Sequence, residues 1–320
     1  MGRALLGPVG SRPDRWEPLG FSRYLERVII GEHEHEHDTD GGTALTDTEL
    51  SPARREIIRA LDVSADFDVH AEIDRRIAFL AERLTTTGTT ALVTGVSGGL
   101  DSLVAGRLCR FAVDRVRQQG HDAEYVAMRL PYGTQKDEDD AARAMDFTAP
   151  DRRLTVDVRP VSDVMAEALR AAGMTYDSDT AEDFVLGNIK ARQRMIAQYA
   201  VSGGLRGLVV GSDHAAEAVT GFFTKYGDGG VDLLPLAGLT KRRVRAVATE
   251  LGADDDLVNK VPTADLESLS PQKTDEEAIG LTYEQIDDFL EGLPVENRVE
   301  EMLVKQYRSS AHKRALPTKP

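Results

Sequence analysis

The chain has 320 residues, 41% of them hydrophobic, which is enough for one large α/β domain or two small ones. Its 39 Lys and Arg against 54 Asp and Glu leave a formal net charge of −15. This argues against a general nucleic-acid binder and against anionic membranes, because both partners need a basic face. The single Cys109 allows no internal disulfide, and no apolar run approaches the ~18 residues of a membrane span. A cytoplasmic protein is the expectation.

Gly, Pro and Arg dominate the first residues, and an acidic tract with His33, His35 and His37 follows. Alternating His could bind a transition metal. The low-complexity composition favours a solvated tail, so residues 1–50 are expected to be a disordered extension before one domain spanning 51–320. Ser51-Pro52 is a capping pair for a helix to about Leu61. Asp68 caps a second, whose Ile73, Ile77, Leu80 and Leu84 recur every three or four residues. A strand is expected over 91–95, followed by a Gly-rich loop and a helix over 102–119.

A second strand fits 123–130, and a helix fits 137–147. The acids Asp137, Glu138, Asp139 and Asp140 suit that helix's positive end better than a metal. A third strand fits 153–158, with helices at 163–172 and 181–203. A fourth strand, 207–210, runs into Gly211-Ser212-Asp213-His214-Ala215-Ala216-Glu217. Thr240 caps a helix over 240–251. Beyond it lie a loop-rich stretch and helices near 282–291 and 295–310. Strands alternating with helices predict an α/β fold, a doubly wound, Rossmann-like parallel sheet with a helical C-terminal part. Ligands of such sheets sit at the strands' carboxyl ends, where both 95–102 and 211–217 fall.

The loop Gly95-Val96-Ser97-Gly98-Gly99-Leu100-Asp101-Ser102 is the most informative stretch. Glycines after a strand let the backbone turn so that several N–H groups face one anion, and the helix that follows adds its positive end. Ser97 and Ser102 add hydroxyls, and Asp101 adds a carboxylate that could hold a metal. The Lys of the common nucleoside-triphosphate loop is absent, and the glycine spacing is not that of dinucleotide folds. The stretch reads as a pyrophosphate cradle with its own cation site.

Other segments carry chemistry less decisively. Lys190 and Arg194 share a helix face, as a phosphate or carboxylate contact or as a solvated basic face, while Arg192 points elsewhere. Ser212 and Glu217 could reach the metal near Asp101. His214 alone reads as structural. Residues 220–232 mix aromatics, glycines and charges, either as a ring-binding loop or as a packed one. Lys241 at a helix N-terminus can neutralise a phosphate. Thr263 lies in a Pro-Thr-Ala-Asp-Leu stretch, and His312-Lys313-Arg314 closes the chain, where a plain basic tail is the simpler reading.

In order, these segments resemble the ammonia-dependent NAD synthetase family of the PP-loop ATP pyrophosphatases, whose SGG-x-DS hallmark is Ser97 to Ser102 here. The resemblance spans about Ser51 to Pro317, through LPYGTQKDEDDA (130–141), GNIKARQRM (187–195), GSDHAAEAVTGFFTKYGDGG (211–230), LLPLAGLTKR (233–242) and PTADL (262–266). It implies that residues 95–102 bind the ATP phosphates. It implies that Asp101 and Glu217 hold Mg²⁺, and that Ser212, Lys241 and Thr263 contact ATP. It implies that Arg192, Lys225, Asp232, His312 and Lys313 contact deamido-NAD. Ser212 departs from the family's usual Thr but keeps the hydroxyl.

The implied reaction adenylates the nicotinate carboxylate with release of diphosphate. Ammonia then displaces AMP to give NAD. The sequence assigns no general base for ammonium; Asp232 or a neighbouring acid is no more than a guess. Glutamine-using relatives carry a further amidase domain with a catalytic Cys, for which this chain has no room. Free ammonia and a C2 homodimer are therefore the expectation by resemblance. The rivals are another adenylating PP-loop ligase, such as a tRNA-modifying enzyme, and a non-catalytic ATP-binding module.

Overall fold

The computed structural model describes residues 44–46, 48–133, 138–262, 269 and 273–320. The expectations for the His tract, Asp137 and Thr263 lie outside these residues. The chain opens with α1 (Pro52–Ala60) and α2 (Val69–Thr87). Both are capped as the sequence indicates, by Ser51 and Asp68, whose side chains accept the N–H groups of Arg54 and Ala71. The apolar stripe of α2 is fully buried, from Ile73 to Leu84.

Next come β1 (Ala91–Gly95), α3 (Leu100–Gln118), β2 (Glu124–Arg129), α4 (Glu138–Thr148), β3 (Arg152–Thr155), α5 (Arg159–Ala171), α6 (Asp179–Leu205) and β4 (Gly207–Val210). The four strands pair in parallel in the order β3-β2-β1-β4, with Val93 opposite Val126 on one side and Val209 on the other. Continuous apolar strands such as Ala91–Val93 are what a sheet covered on both faces requires. Val93, Val126 and Met128 pack under Ala197, Val201 and Leu205 of α6. Tyr125 points the other way. Its hydroxyl pairs with that of Thr94 at 2.9 Å and lies against Gly106 of α3, where any side chain would collide.

Strands β2 and β3 wind to one side of β1, and then α5 and α6 carry the chain back to place β4 on the other. That reversal puts the switch point, and hence the ligand crevice, at the carboxyl ends of β1 and β4.

The chain continues through α7 (Ala215–Thr220), α8 (Lys241–Glu250), α9 (Asp255–Val258), α10 (Asp275–Ile279), α11 (Tyr283–Leu290), α12 (Asn297–Ser309) and α13 (Ala311–Arg314). The stretch expected to be loop-rich thus contains short helices. Each is shorter than the span over which periodicity declares itself, and each is held by packing. A second core joins α1, α7, α10, α11 and α12 through Ile57, Ala216, Val219, Ile279, Ile286, Phe289 and Leu303. The third strand also ends earlier than expected. Val158 leaves the sheet to cap α5, its N–H donating to the Pro131 carbonyl at 2.9 Å.

Arg54 locks the two ends of this second core together. Its guanidinium is buried and donates to the carbonyls of Phe289 (2.8 Å), Asp288 (2.8 Å) and Leu293 (2.6 Å). Arg54→Met keeps the bulk and strands three carbonyls, so it should cost about 2–4 kcal/mol. Urea unfolding should show a lower midpoint with an unchanged slope; an unchanged midpoint would remove this role.

Candidate functional site

The loop between β1 and α3 is braced from within. Ser102 Oγ accepts the Ser97 N–H at 3.2 Å and donates to the Gly99 carbonyl at 2.9 Å, while Ser97 Oγ accepts the Gly99 N–H at 3.2 Å. Gly98 sits at φ +91°, and a Cβ there would lie 3.0 Å from the backbone of Ala141 in α4. Only glycine satisfies both conditions. The N-cap of α3 is Gly99, which offers no side-chain cap, so the first turn of the helix keeps its positive end open to an outside anion.

Asp101 in that first turn meets three residues brought from far along the chain. Lys241 Nζ lies 2.7 and 2.9 Å from its two oxygens, and His214 Nε2 lies 3.5 Å from Oδ1. Glu217 Oε2 lies 3.6 Å from the same His nitrogen and accepts the His214 N–H at 3.3 Å. Ligand atoms of Asp101, His214 and Glu217 all fall within 4.8 Å of one another. Asp213 and Asp228 add two more desolvated carboxyls nearby.

The electrostatics are those of a site with too much negative charge. Burial alone would raise the Asp101 carboxyl, but the Lys241 ammonium, His214 and the Lys241 hydrogen bond outweigh it and hold Asp101 below its usual range. For Glu217 the balance falls the other way, the Lys241 charge offsetting only part of it. Burial, then Asp101 and Asp213, push it well above the carboxylate range. Asp213 is pushed to about 8 by burial, with Asp228 and Asp101 adding repulsion. His214 is driven down to about 3 by burial, against the pull of Asp101. The imidazole is therefore neutral, with both ring nitrogens buried and Nε2 without a hydrogen-bond partner among the described residues. Neutral imidazole beside crowded carboxylates is a donor set that a divalent cation would satisfy, so the residues present fit a metal.

Lys241 is itself held in place. It follows the N-cap Thr240, and the first N–H groups of α8, from Lys241 and Arg242, go to the two oxygens of Asp287 at 3.0 and 2.7 Å. The positive end of α8 is thus occupied by a protein carboxylate, and only the Lys241 side chain is left to face a phosphate. Nζ lies 4.9 Å from the Tyr283 ring, whose hydroxyl donates to Asp275 at 3.0 Å.

The other expected residues divide. Arg192 donates to the Lys225 carbonyl at 3.3 Å, Lys225 Nζ to the His312 carbonyl at 2.6 Å, and Lys313 Nζ to the carbonyls of Gly221 and Phe223 at 2.8 and 2.7 Å. Arg192, Lys225, His312 and Lys313 therefore form one basic cluster where α6, the loop after α7, and α13 meet. The basic chain end is docked against the loop rather than a plain tail. Asp232 is elsewhere. It brackets the edge of β4, accepting the Val209 N–H at 2.8 Å and the Tyr199 hydroxyl at 3.0 Å. Ser212 lies half-buried just past β4. Lys190 is buried, its ammonium 4.1 Å from the Tyr132 ring, and Arg194 donates to the Leu130 carbonyl at 2.9 Å. These two are not a solvated face. They anchor α6 to the segment after β2. Cys109 is buried, and burial pushes its thiol up, so it is no nucleophile.

Sequence reasoning missed His214, Asp213, Tyr283 and Asp287. The i, i+3 spacing of His214 and Glu217 at a helix start was an available signal. For Tyr283 and Asp287 there was none, because only the packing of α11 brings them to Lys241.

An open helix start and a desolvated cation site sharing one switch point define the class: an α/β nucleotide-binding protein built for a polyphosphate and its counter-ion. Residues 72–317 match the NAD synthase family, and the chain belongs to it. It is 62% identical over 267 residues to the NH(3)-dependent NAD(+) synthetase of Streptomyces coelicolor, covering 83% of this chain and 97% of that protein. The crystal structure of NAD+ synthetase from Burkholderia pseudomallei superposes with a TM-score of 0.72 at 57% identity, over 82% of this chain and 96% of that one. NMN synthetase from Francisella tularensis follows at 29% identity and TM-score 0.69, over 80% of this chain and 99% of that one.

A raised acid is a stability liability as pH rises. Between its ordinary value of 3.8 and about 8, folded Asp213 holds a proton that the unfolded chain has released. The protein without metal should therefore lose stability across that interval. A divalent cation bound among these carboxyls would replace the proton, so millimolar Mg²⁺ should raise the thermal midpoint more at about pH 8 than at about pH 6. A shift independent of pH would contradict this.

Proposed function

We propose that this chain joins ammonia to the nicotinate carboxylate of deamido-NAD, using ATP and releasing AMP and diphosphate. The observation that carries the reading is the meeting of Asp101, Glu217 and Lys241 at the open start of α3, in a chain 62% identical to a protein named for this reaction. Residues 51–320 form the catalytic unit, and residues 1–50 are an extension to it. The family match from residue 72 onward supports that division.

Residues 95–102 bind the phosphates of ATP, with Ser212 and Thr263 contacting the nucleotide. Asp101 and Glu217 hold Mg²⁺, whose charge, when bound, offsets that of the phosphate oxygens. The carboxylate of deamido-NAD attacks the α-phosphorus and the bond to the β-phosphate breaks, leaving an acyl-adenylate and diphosphate. Lys241 moves its donors from Asp101 to the departing diphosphate, where negative charge accumulates. The dinucleotide lies against the basic cluster of Arg192, Lys225, His312 and Lys313, with Asp232 at the margin. Ammonia then attacks the activated carbonyl and AMP leaves. No enzyme nucleophile is required, in keeping with the inert Cys109.

Purified protein given ATP, Mg²⁺ and deamido-NAD should form NAD, AMP and diphosphate with ammonium and little with glutamine. The acid form of NMN, suggested by the Francisella relative, is the control acceptor and should react poorly. Formation of ADP, or none of AMP, would sink the proposal. Asp101→Asn should lower turnover by at least ~100-fold with an unchanged circular dichroism spectrum.

A homodimer is proposed as well. Val161, Val164 and Met165 of α5 and Phe184 and Ile196 of α6 are exposed apolar side chains on two neighbouring helices, Val164 by 64% and Phe184 by 59%. Exposed apolar side chains are what a partner's surface would bury, and a C2 contact would cover them on both copies. Light scattering should give twice the chain mass for the native protein and the chain mass for Phe184→Glu. A monomeric native protein would contradict the assignment.

A further inference from the structure

His214 is the one member of the cluster with no role in the reaction derived above. It sits at the N-cap of α7, directly after the loop from β4, and its side chain is fully buried. Burial without a partner costs an imidazole the hydrogen bonds that both nitrogens make in water. Yet Nε2 has no hydrogen-bond partner among the described residues. Apolar residues would fill this space at no such cost. The ring is instead turned so that Nε2 stands between two carboxylates, 3.5 Å from Asp101 Oδ1 and 3.6 Å from Glu217 Oε2.

Those separations are informative. Donors around one octahedral cation at ordinary bond lengths lie about 3 Å apart when adjacent and about 4 Å apart when opposite. The three donor atoms here, all within 4.8 Å of one another, need only small adjustments to share an ion.

We infer that His214 is a third protein ligand of the cation held by Asp101 and Glu217, through Nε2. The inference rests on the proposed role of those two carboxylates. A nitrogen donor changes which ion the site prefers. Carboxylate and water suit Mg²⁺ and Mn²⁺ alike, whereas imidazole shifts preference toward Mn²⁺ and Co²⁺. The site is then a mixed nitrogen–oxygen one whose metal preference is set by one buried ring. Lys241 now occupies the Asp101 oxygens, so the complete ligand set forms when phosphate draws Lys241 away.

The test uses the full chain with Mn²⁺ and inorganic pyrophosphate, a probe that contains no nitrogen. Electron spin-echo spectroscopy should show nitrogen coupled to Mn²⁺, and growth on heavy-nitrogen histidine should change the pattern. His214→Gln should lose the coupling, bind Mn²⁺ more weakly by ~10-fold or more, and lose most of its preference for Mn²⁺ over Mg²⁺. If that variant does not fold, His214→Asn takes its place. Bound Mn²⁺ without histidine coupling, or coupling that survives His214→Gln, would overturn the role of His214 and leave the carboxylate site standing. No Mn²⁺ bound at all would overturn the carboxylate site as well.

Discussion

The pairing of Asp101 with Lys241 is the interaction on which the crevice depends. Four carboxyl groups, from Asp101, Asp213, Glu217 and Asp228, are desolvated within one electrostatic neighbourhood. In that environment each ionised acid raises the next. Lys241 lets one of them stay charged, and it selects the one in the first turn of α3, beside the phosphate loop. The carboxyls of the remaining acids are pushed up by burial and by one another. The Asp101 carboxylate thus carries an internal counter-ion, which the phosphates of the proposed reaction would draw away.

Much of the molecule outside the sheet supports this pair. Helix α8 would carry Lys241 nowhere in particular without Asp287 at its amino end. Asp287 belongs to α11, which is fixed by the second core and by the Arg54 contacts to its last carbonyls. The same core packs Ala215, Ala216 and Val219 of α7 inward, leaving Glu217 directed at Asp101. Helices α10, α11 and α12 therefore act on the chemistry through their packing. The stability gained in their core offsets the repulsion stored at the site.

The two substrates of the proposed reaction would be handled by different means. The phosphates of ATP would meet backbone N–H groups, a helix end and a buried cluster. The dinucleotide would meet Lys225, Lys313 and Arg192, whose donors now rest on main-chain carbonyls of the 221–227 loop and of α13. Those bonds tie the chain end to the loop. A phosphate-bearing ligand competes for the same donors, so binding and ordering of this corner are coupled.

The sequence by itself determined the sheet, the capped helices and the pyrophosphate loop. Each rests on local rules: apolar runs for buried parallel strands, Ser51, Asp68 and Thr240 as caps, and glycines where the backbone must turn. Glu217 and Lys241 were legible as well, as polar residues at a strand exit and a helix start. Lys190, Arg194 and Asp232 were read less well, because an isolated charge does not reveal whether it meets solvent, a ring or a strand edge. Only the tertiary structure decided that His214 lies between two carboxylates and that Asp287 fills the amino end of α8. Only it brought Asp101 and Lys241, 140 residues apart, to 2.7 Å. The reason is physical. Periodicity and capping are set by neighbours a few residues away, whereas desolvation and charge repulsion depend on which distant segments the winding of the sheet brings to one switch point.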